Sequence, residues 1–352
     1  MLAPFSTRLL KWYACSGRKN LPWQRSVSAY RVWVSEIMLQ QTQVQTVIPY
    51  YRRFMRYFPS LKSLAESPLS EVMVQWAGLG YYARARNMHR TARLIRSHYG
   101  GRFPKDKKIL MTLPGIGRST ASAILALAYR QRHAILDGNV KRVLARHADI
   151  AARPGDTTAN RKLWKQADDY LPHQNIAEYT QALMDLGALV CTKNNPQCER
   201  CPVAEDCLAR KIGCIAERPC LAISKKKPHR HVFMLMAMHK DSILLERRPP
   251  SGIWGGLSSF PEMQSQAEAE AWCRQKIGHI TNTNCLPSFK HQFTHFSLTI
   301  TPLKVEIGKI YPRISEENGL VWCKLLYSIS GVPAPVKKLI VQLQNSRDKD
   351  DS

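Results

Sequence analysis

Two acids and four thiols offer the chemistry this sequence can do. Glu36 stands in YRVWVSEIMLQQTQV beside Trp33, at the rim of an apolar stripe of Tyr30, Trp33, Val34, Ile37 and Met38. A carboxyl there is partly desolvated, which raises its pKa and suits it to deliver a proton. Asp137, in Leu136-Asp137-Gly138-Asn139, puts a second carboxylate at the start of a helix, twenty residues after Gly117. Before it runs LPGIGRSTASAILALAYRQRHAI, where Pro114, Gly115 and Gly117 forbid a smooth helix. They leave bare N–H groups where the next helix begins, near Arg118 or Ser119, and such an end attracts an anion such as a phosphate. Cys191, Cys198, Cys201 and Cys207 follow, with six, two and five residues between successive cysteines. Four thiolates so spaced can converge on one centre, and all-sulfur ligation suits zinc or an iron–sulfur cluster, the chemistry alone slightly favouring zinc.

The elements that must position these groups are mostly helical. A short helix over Thr7–Tyr13 precedes the loop Asn20–Gln24, and periodicity predicts a helix from Tyr30 to Val47. Further helices are interrupted at Pro49, Pro59, Pro68 and Gly78-Leu79-Gly80. GLGYYARARNMHR (78–90) interleaves tyrosines with basic residues, as suits a surface that stacks on bases and holds phosphates. Ala121, Ile124, Leu125 and Ala128 recur at helical spacing after the hairpin, and helices follow over Val140–His147, 160–171 and 175–190. From 211 to 230 the chain is irregular, and Cys214 and Cys220 read as unpaired reduced thiols. Beyond it alternation predicts paired strands at His231–Met238 and Ser242–Glu246, and again at Phe296–Thr301 and Leu303–Ile307. Helices are expected near Gln266–Ile277 and Val336–Asn345.

At 352 residues the chain can build two cores. Its formal net charge of +26 favours a polyanionic partner, and nucleic acid before a membrane surface. No apolar run approaches the roughly 18–20 residues that span a bilayer. The first residues, MLAPFSTRLLKWY, lack a long apolar segment with a cleavage site, so export is not expected. With four of the ten cysteines grouped as a metal loop would be, a reducing cytoplasm is the expected compartment.

Taken in order, these stretches resemble the adenine DNA glycosylases of the MutY type, within the helix-hairpin-helix endonuclease III superfamily. The hairpin with Asp137, the VSEIMLQQTQV segment with Glu36, the six-two-five cysteine spacing and ERRPPSGIWGGLSSFPE (246–262) each match, and together they span roughly residues 5 to 345. The resemblance implies a multidomain protein. An all-α helix-hairpin-helix glycosylase domain with a 4Fe–4S loop would fill 1–212, a linker 213–229, an α+β Nudix-like recognition domain 230–346, and a tail 347–352. MQSQAEAEAWCRQKIG lacks the Arg-Glu and paired glutamates of a Nudix hydrolase helix, which leaves recognition rather than hydrolysis to that domain.

The resemblance also implies roles. Glu36 would protonate adenine N7, Asp137 would stabilise the cationic sugar, and Asn139 would orient the site. Trp23, Gln24, Leu39 and Gln181 match positions lining the adenine pocket, and Gln41 and Tyr81 match those that probe the stack beside the opposing purine. Gly115, Gly117 and Arg118 would hold the DNA backbone. Cys191, Cys198, Cys201 and Cys207 would ligate a 4Fe–4S cluster. Phe293-Thr294-His295 matches a loop that reads 8-oxoguanine, with Thr294 where Ser is usual. Ser119, a substrate-contacting position, stands where endonuclease III enzymes carry a Lys nucleophile, so no Schiff base is available there. The expected activity is monofunctional removal of adenine opposite 8-oxoguanine or guanine in duplex DNA. The alternative is a bifunctional glycosylase/lyase acting on oxidised pyrimidines. The expected partner is double-stranded DNA with such mispairs, with no membrane, and the protein a monomer in a bacterial-type, nucleoid-associated cytoplasm.

Overall fold

The computed structural model describes residues 2–220, 227–249, 252–293, 295–311, 319–327, 329 and 331–350, with backbone only from 346 onward. The chain divides into two compact units, residues 1–67 with 86–224, and 68–85 with 225–352.

The first unit is helical: α1 Phe5–Ser16, α2 Ala29–Leu39, α3 Val44–Tyr57 and α4 Leu61–Glu66. After α5 Leu69–Trp76, which groups with the second unit, come α6 Ala83–His98, α7 Lys107–Thr112, α8 Arg118–Tyr129, α9 Gly138–His147, α10 Thr157–Asp169, α11 Ile176–Leu189 and α12 Leu208–Lys211. The Tyr30, Trp33, Val34, Ile37, Met38 stripe of α2 is buried, and α2 packs on α8 while α11 packs on α8 and α9. Small residues allow that closeness: a Cβ on Gly187 of α11 would come within 2.8 Å of the Asn139 Cβ.

The expected helix from Tyr30 to Val47 is two helices. It stops at Leu39 because Gln41 takes a left-handed backbone (φ 57°), and it restarts at Val44. Pro49, expected to interrupt, lies inside α3. That helix buries Val47, Tyr51, Phe54 and Met55, and this packing outweighs the one lost N–H bond. The hairpin is α7, a turn, and α8. Gly115 takes φ 79° and lies so close to Asn87 that a Cβ would meet its Cβ at 3.1 Å. The Thr91 hydroxyl pins the turn by donating to the Pro114 carbonyl (2.8 Å).

The second unit holds an eight-stranded mixed sheet. Its strands are β1 His229–His239, β2 Ser242–Arg247, β3 Ser258–Ser259, β4 Glu262–Met263, β5 Gly278–Cys285, β6 Phe289–Gln292, β7 Ser297–Ile310 and β8 Leu320–Lys324. The path runs β3-β2-β1-β7-β5, with β4 on β1, β6 on β7 and β8 on β2. Helix α13 (Gln266–Lys276) buries Ala269 and Cys273 against Leu235, Ala237, Leu303 and Val305, and α14 spans Ala334–Asp350. Phe296–Thr301 and Leu303–Ile307, expected as paired strands, are one strand. β7 runs straight through Pro302, held in parallel register against β1 from His229↔Ser297 to Met238↔Glu306. The strands β5 and β6 that pair with it antiparallel were not legible in the alternation.

Candidate active site

The N-cap of α9 is Asp137, whose Oδ1 accepts the Val140 N–H at 2.7 Å. Glu36 projects from the last turn and a half of α2. Both line one cleft of roughly 1370 Å³, together with Trp23, Gln24, Leu39, Gln41, Ser119, Asn139 and Gln181. That exceeds the ~300–1,000 Å³ of pockets for drug-sized ligands, so a nucleoside drawn out of a duplex has room. Burial, and then the Asp137 charge, push the Glu36 carboxyl from 4.5 to about 8. Burial also raises Asp137, against the pull of the Val140 N–H, the Arg142 charge and the Asn139 N–H. Burial thus favours the neutral form of each acid, and the negative charge of Asp137 adds to that preference at Glu36.

The cleft walls are built by groups whose roles the sequence left unassigned. Asp185, fully buried on α11, accepts from the Arg18 backbone N (2.7 Å), from Arg18 Nε (2.9 Å) and from Gln181 Nε2 (2.9 Å). Gln24 closes the same network, donating to the Arg18 carbonyl (2.8 Å) and accepting the Leu21 N–H (3.0 Å). Gln181 directly, and Gln24 through Arg18, are thus tied to one carboxylate. The i, i+4 spacing of Gln181 and Asp185 was the available signal. Arg142 is the second such group. It donates to the Asn139 Oδ1 (2.9 Å), the Gly187 carbonyl (2.5 Å) and the Cys191 carbonyl (2.7 Å), so it holds the amide beside Asp137. Ser119 Oγ accepts the Leu136 N–H (3.1 Å), tying α8 to the strand of chain that delivers Asp137.

Gly117 and Arg118, expected at the DNA backbone, are not among the residues that line this cleft. Arg118 stacks on Trp164 (3.7 Å to the ring centroid) and faces Asp168 at 3.8 Å, so its guanidinium is engaged within the protein. Gly117 caps α8 with no side-chain partner for the first-turn N–H groups. Tyr81 belongs to the second unit. There too Phe293 stacks on Phe296 (4.4 Å, 12°), meets His291 edge-on (4.7 Å) and lies 5.5 Å from Trp254; His295 lies 4.9 Å from Phe296. Thr294 lies outside the described residues.

The four cysteines line one cavity, walled also by Val143, Val190, Val203 and Ile215. Among the described residues no three His, Cys, Asp or Glu groups come close enough to hold a single metal ion. Four thiols gathered at one largely apolar cavity are a donor set that suits an all-sulfur centre. Burial pushes the Cys201 thiol up to about 12, and each of the other three thiols adds to that rise. Arg146, buried, donates to the Cys191 Sγ (3.4 Å) and to the Thr192 carbonyl (2.6 Å), placing a positive charge at the cavity wall. In α13, Glu268 accepts the Gln264 N–H and Glu270 pairs with Arg274 (3.0 Å).

Fold and cleft define a helix-hairpin-helix base excision DNA repair protein carrying a NUDIX domain. The HhH-GPD superfamily of base excision DNA repair proteins matches residues 34–168, and the NUDIX domain matches 231–342. Adenine DNA glycosylase of Buchnera aphidicola (subsp. Acyrthosiphon pisum) is 38% identical, over 96% of both chains. That of Homo sapiens is 34% identical over 90% of this chain and 70% of its own. The chain belongs to the adenine DNA glycosylase family, enzymes of base excision repair that break an N-glycosidic bond. Among solved structures it is similar to a thermostable thymine-DNA glycosylase, with a TM-score of 0.54 and 26% identity over 59% of this chain and 95% of that one. A trapped endonuclease III–DNA covalent intermediate shares the fold, with a TM-score of 0.51 and 21% identity over 59% and 94%. Among the described residues no helix is long and apolar enough to cross a membrane.

Proposed function

We propose that the protein is a monofunctional glycosylase that removes adenine opposite 8-oxoguanine or guanine in duplex DNA. One observation carries the reading: Glu36, whose carboxyl burial pushes up to about 8, lines the same cleft as Asp137, the acid that caps helix α9. Adenine leaves poorly as an anion, so the Glu36 proton passes to N7 as the C1′–N9 bond breaks. The electron pair goes with the base, and the sugar is left with oxocarbenium character. Asp137 faces that positive charge, and its acceptance of the Val140 N–H fixes where its oxygens lie. Water then adds to C1′, leaving an abasic site. Asn139, aligned by Arg142, orients the sugar end of the cleft, while Trp23, Gln24, Leu39 and Gln181 close around the base. Gln41, Tyr81 and the Phe293-Thr294-His295 loop read the opposing purine. Gln41 and Tyr81 both hold left-handed backbones (φ 57° and 49°), a strain that gathers at functional positions.

With Ser119 bonded to the Leu136 N–H where a lyase would carry its lysine, the strand is left intact. Cys191, Cys198, Cys201 and Cys207 would hold a 4Fe–4S cluster, whose contribution when bound is to fix the loop after α11 and the basic residues on it. Gly115, Gly117 and the uncapped start of α8 meet the DNA backbone, and the net positive charge makes the complex salt-sensitive. The test is single-turnover incubation with a duplex holding one adenine opposite 8-oxoguanine, split into samples with and without alkali. Cleavage that needs alkali supports the proposal. Nicking without alkali would move the protein to the bifunctional class, and no alkali-labile site at all would end the reading.

A further inference from the structure

Tyr81 is reached through a loop whose backbone turns left-handed three times, at Gly78 (φ 94°), Gly80 (φ 77°) and Tyr81 itself (φ 49°). Glycine takes such angles freely, whereas a tyrosine does so only where its surroundings hold it. The residue is nonetheless 42% exposed, so its own burial is not what holds it.

The holding group is Arg84, in the first turn of α6. Its guanidinium carbon lies 5.2 Å from the Tyr81 ring centroid and 5.3 Å from that of Trp76. Its Nη2 donates to the Gly80 carbonyl at 3.2 Å, and the same oxygen accepts the indole N–H of Trp76 at 3.0 Å. One planar cation therefore joins a buried tryptophan, the carbonyl just before Tyr81, and the exposed ring. The first turn of a helix is an unfavourable place for a cation, which points to a specific use of this one. Burial draws the guanidinium down to about 10, so it is still charged near neutral pH.

We infer that Arg84 is a positioning residue that clamps the Tyr81 ring in the orientation from which it enters the base stack beside the purine opposite the target adenine. The inference rests on the reading of Tyr81 given above. Its rival is an ordinary arginine that meets a DNA phosphate, and the two differ in what a lysine can replace. Lysine supplies the charge but not a flat face for two rings.

The experiment uses the full-length protein and compares single-turnover rates on duplexes with adenine opposite 8-oxoguanine and opposite guanine. Arg84→Lys is expected to lower the preference for 8-oxoguanine on the order of tenfold. Tyr81→Ala should lower it comparably, and the double variant should be no worse than Tyr81→Ala. The salt dependence of binding to unmodified duplex should not change in Arg84→Met, where loss of a phosphate contact would make it shallower. Arg84→Met, which keeps the apolar stem, should repeat the loss, and it decides the matter if the lysine variant fails to fold. A loss in Tyr81→Ala with none in Arg84→Lys or Arg84→Met would overturn the clamp alone. So would additive losses in the double variant, or a shallower salt dependence. An unchanged preference in Tyr81→Ala would instead remove Tyr81 from the reading of the opposing purine, and the clamp with it.

Discussion

In the proposed reaction, the proton on Glu36 sets the pH at which the protein works. Burial and the Asp137 charge lift its carboxyl from 4.5 to about 8. At about pH 7 such a group is ~90% protonated, whereas one left at its ordinary value would be ~0.3% protonated, a ~300-fold difference in the population able to give a proton. The single-turnover rate of adenine release is therefore expected to be level near neutrality, to halve near pH 8, and then to fall about tenfold per pH unit. Glu36→Gln should cost on the order of 10²–10⁴-fold at neutral pH, and the basic limb should vanish from whatever rate is left. Rapid quenching with enzyme in saturating excess keeps DNA affinity out of the measurement. A basic limb below about pH 6, or one that persists in Glu36→Gln, would refute the reasoning. Stability supplies a second readout with a definite sign. Because the folded value lies above the unfolded one, the folded protein binds more protons between them. The contribution is fully present below 4.5 and is lost as pH rises through about 8. Glu36→Gln, which never ionises, should thus gain Tm over the native protein at about pH 8 and gain less at about pH 5.

Asp137→Asn keeps the shape of an N-cap but removes the anion. It should abolish base release while gel-shift binding to a mispaired duplex stays near native; lost binding would reassign Asp137 to structure. Asp185→Ala removes the buried acceptor of Arg18 and Gln181, and because Arg18 keeps contact with solvent at the cleft it should destabilise the protein by about 1–3 kcal/mol in chemical denaturation. A change below ~1 kcal/mol would show that the network behind Gln24 and Gln181 is not structural. Cys198→Ser should strip visible absorbance and most of about four iron atoms per chain from the purified protein. Zinc found in place of iron in the native chain would correct the assignment of the centre.

How much was readable in advance varied with how local the cause was. The buried stripe of α2, the start of α8 beside Gly117 and the helix opened by Asp137 were legible because each has its cause within a few residues. The stop after Leu39 was not, since Gln41 takes a left-handed backbone without glycine or proline to announce it. Pro49 and Pro302 misled in the other direction. A proline's local cost is small beside the packing of a whole helix, or the register of a whole strand, around it. Asp185 and Arg142 carry no such local sign, because an acid and a base on ordinary helices show nothing in sequence of what they reach.

The sequence by itself determined which groups were available and in what order: a carboxyl in an apolar stripe, a second at a helix start, four thiols in a short loop, and an excess of positive charge. Those properties follow from residue type and near-neighbour spacing. Only the tertiary structure decided that Glu36 and Asp137 share a cleft, that Asp185 ties Gln181 directly and Gln24 through Arg18, and that the four thiols line one cavity. The reason is physical. The raised Glu36 pKa comes from desolvation and from a charge about a hundred positions away in the chain, and both exist only once packing has excluded water and brought the two acids to one place.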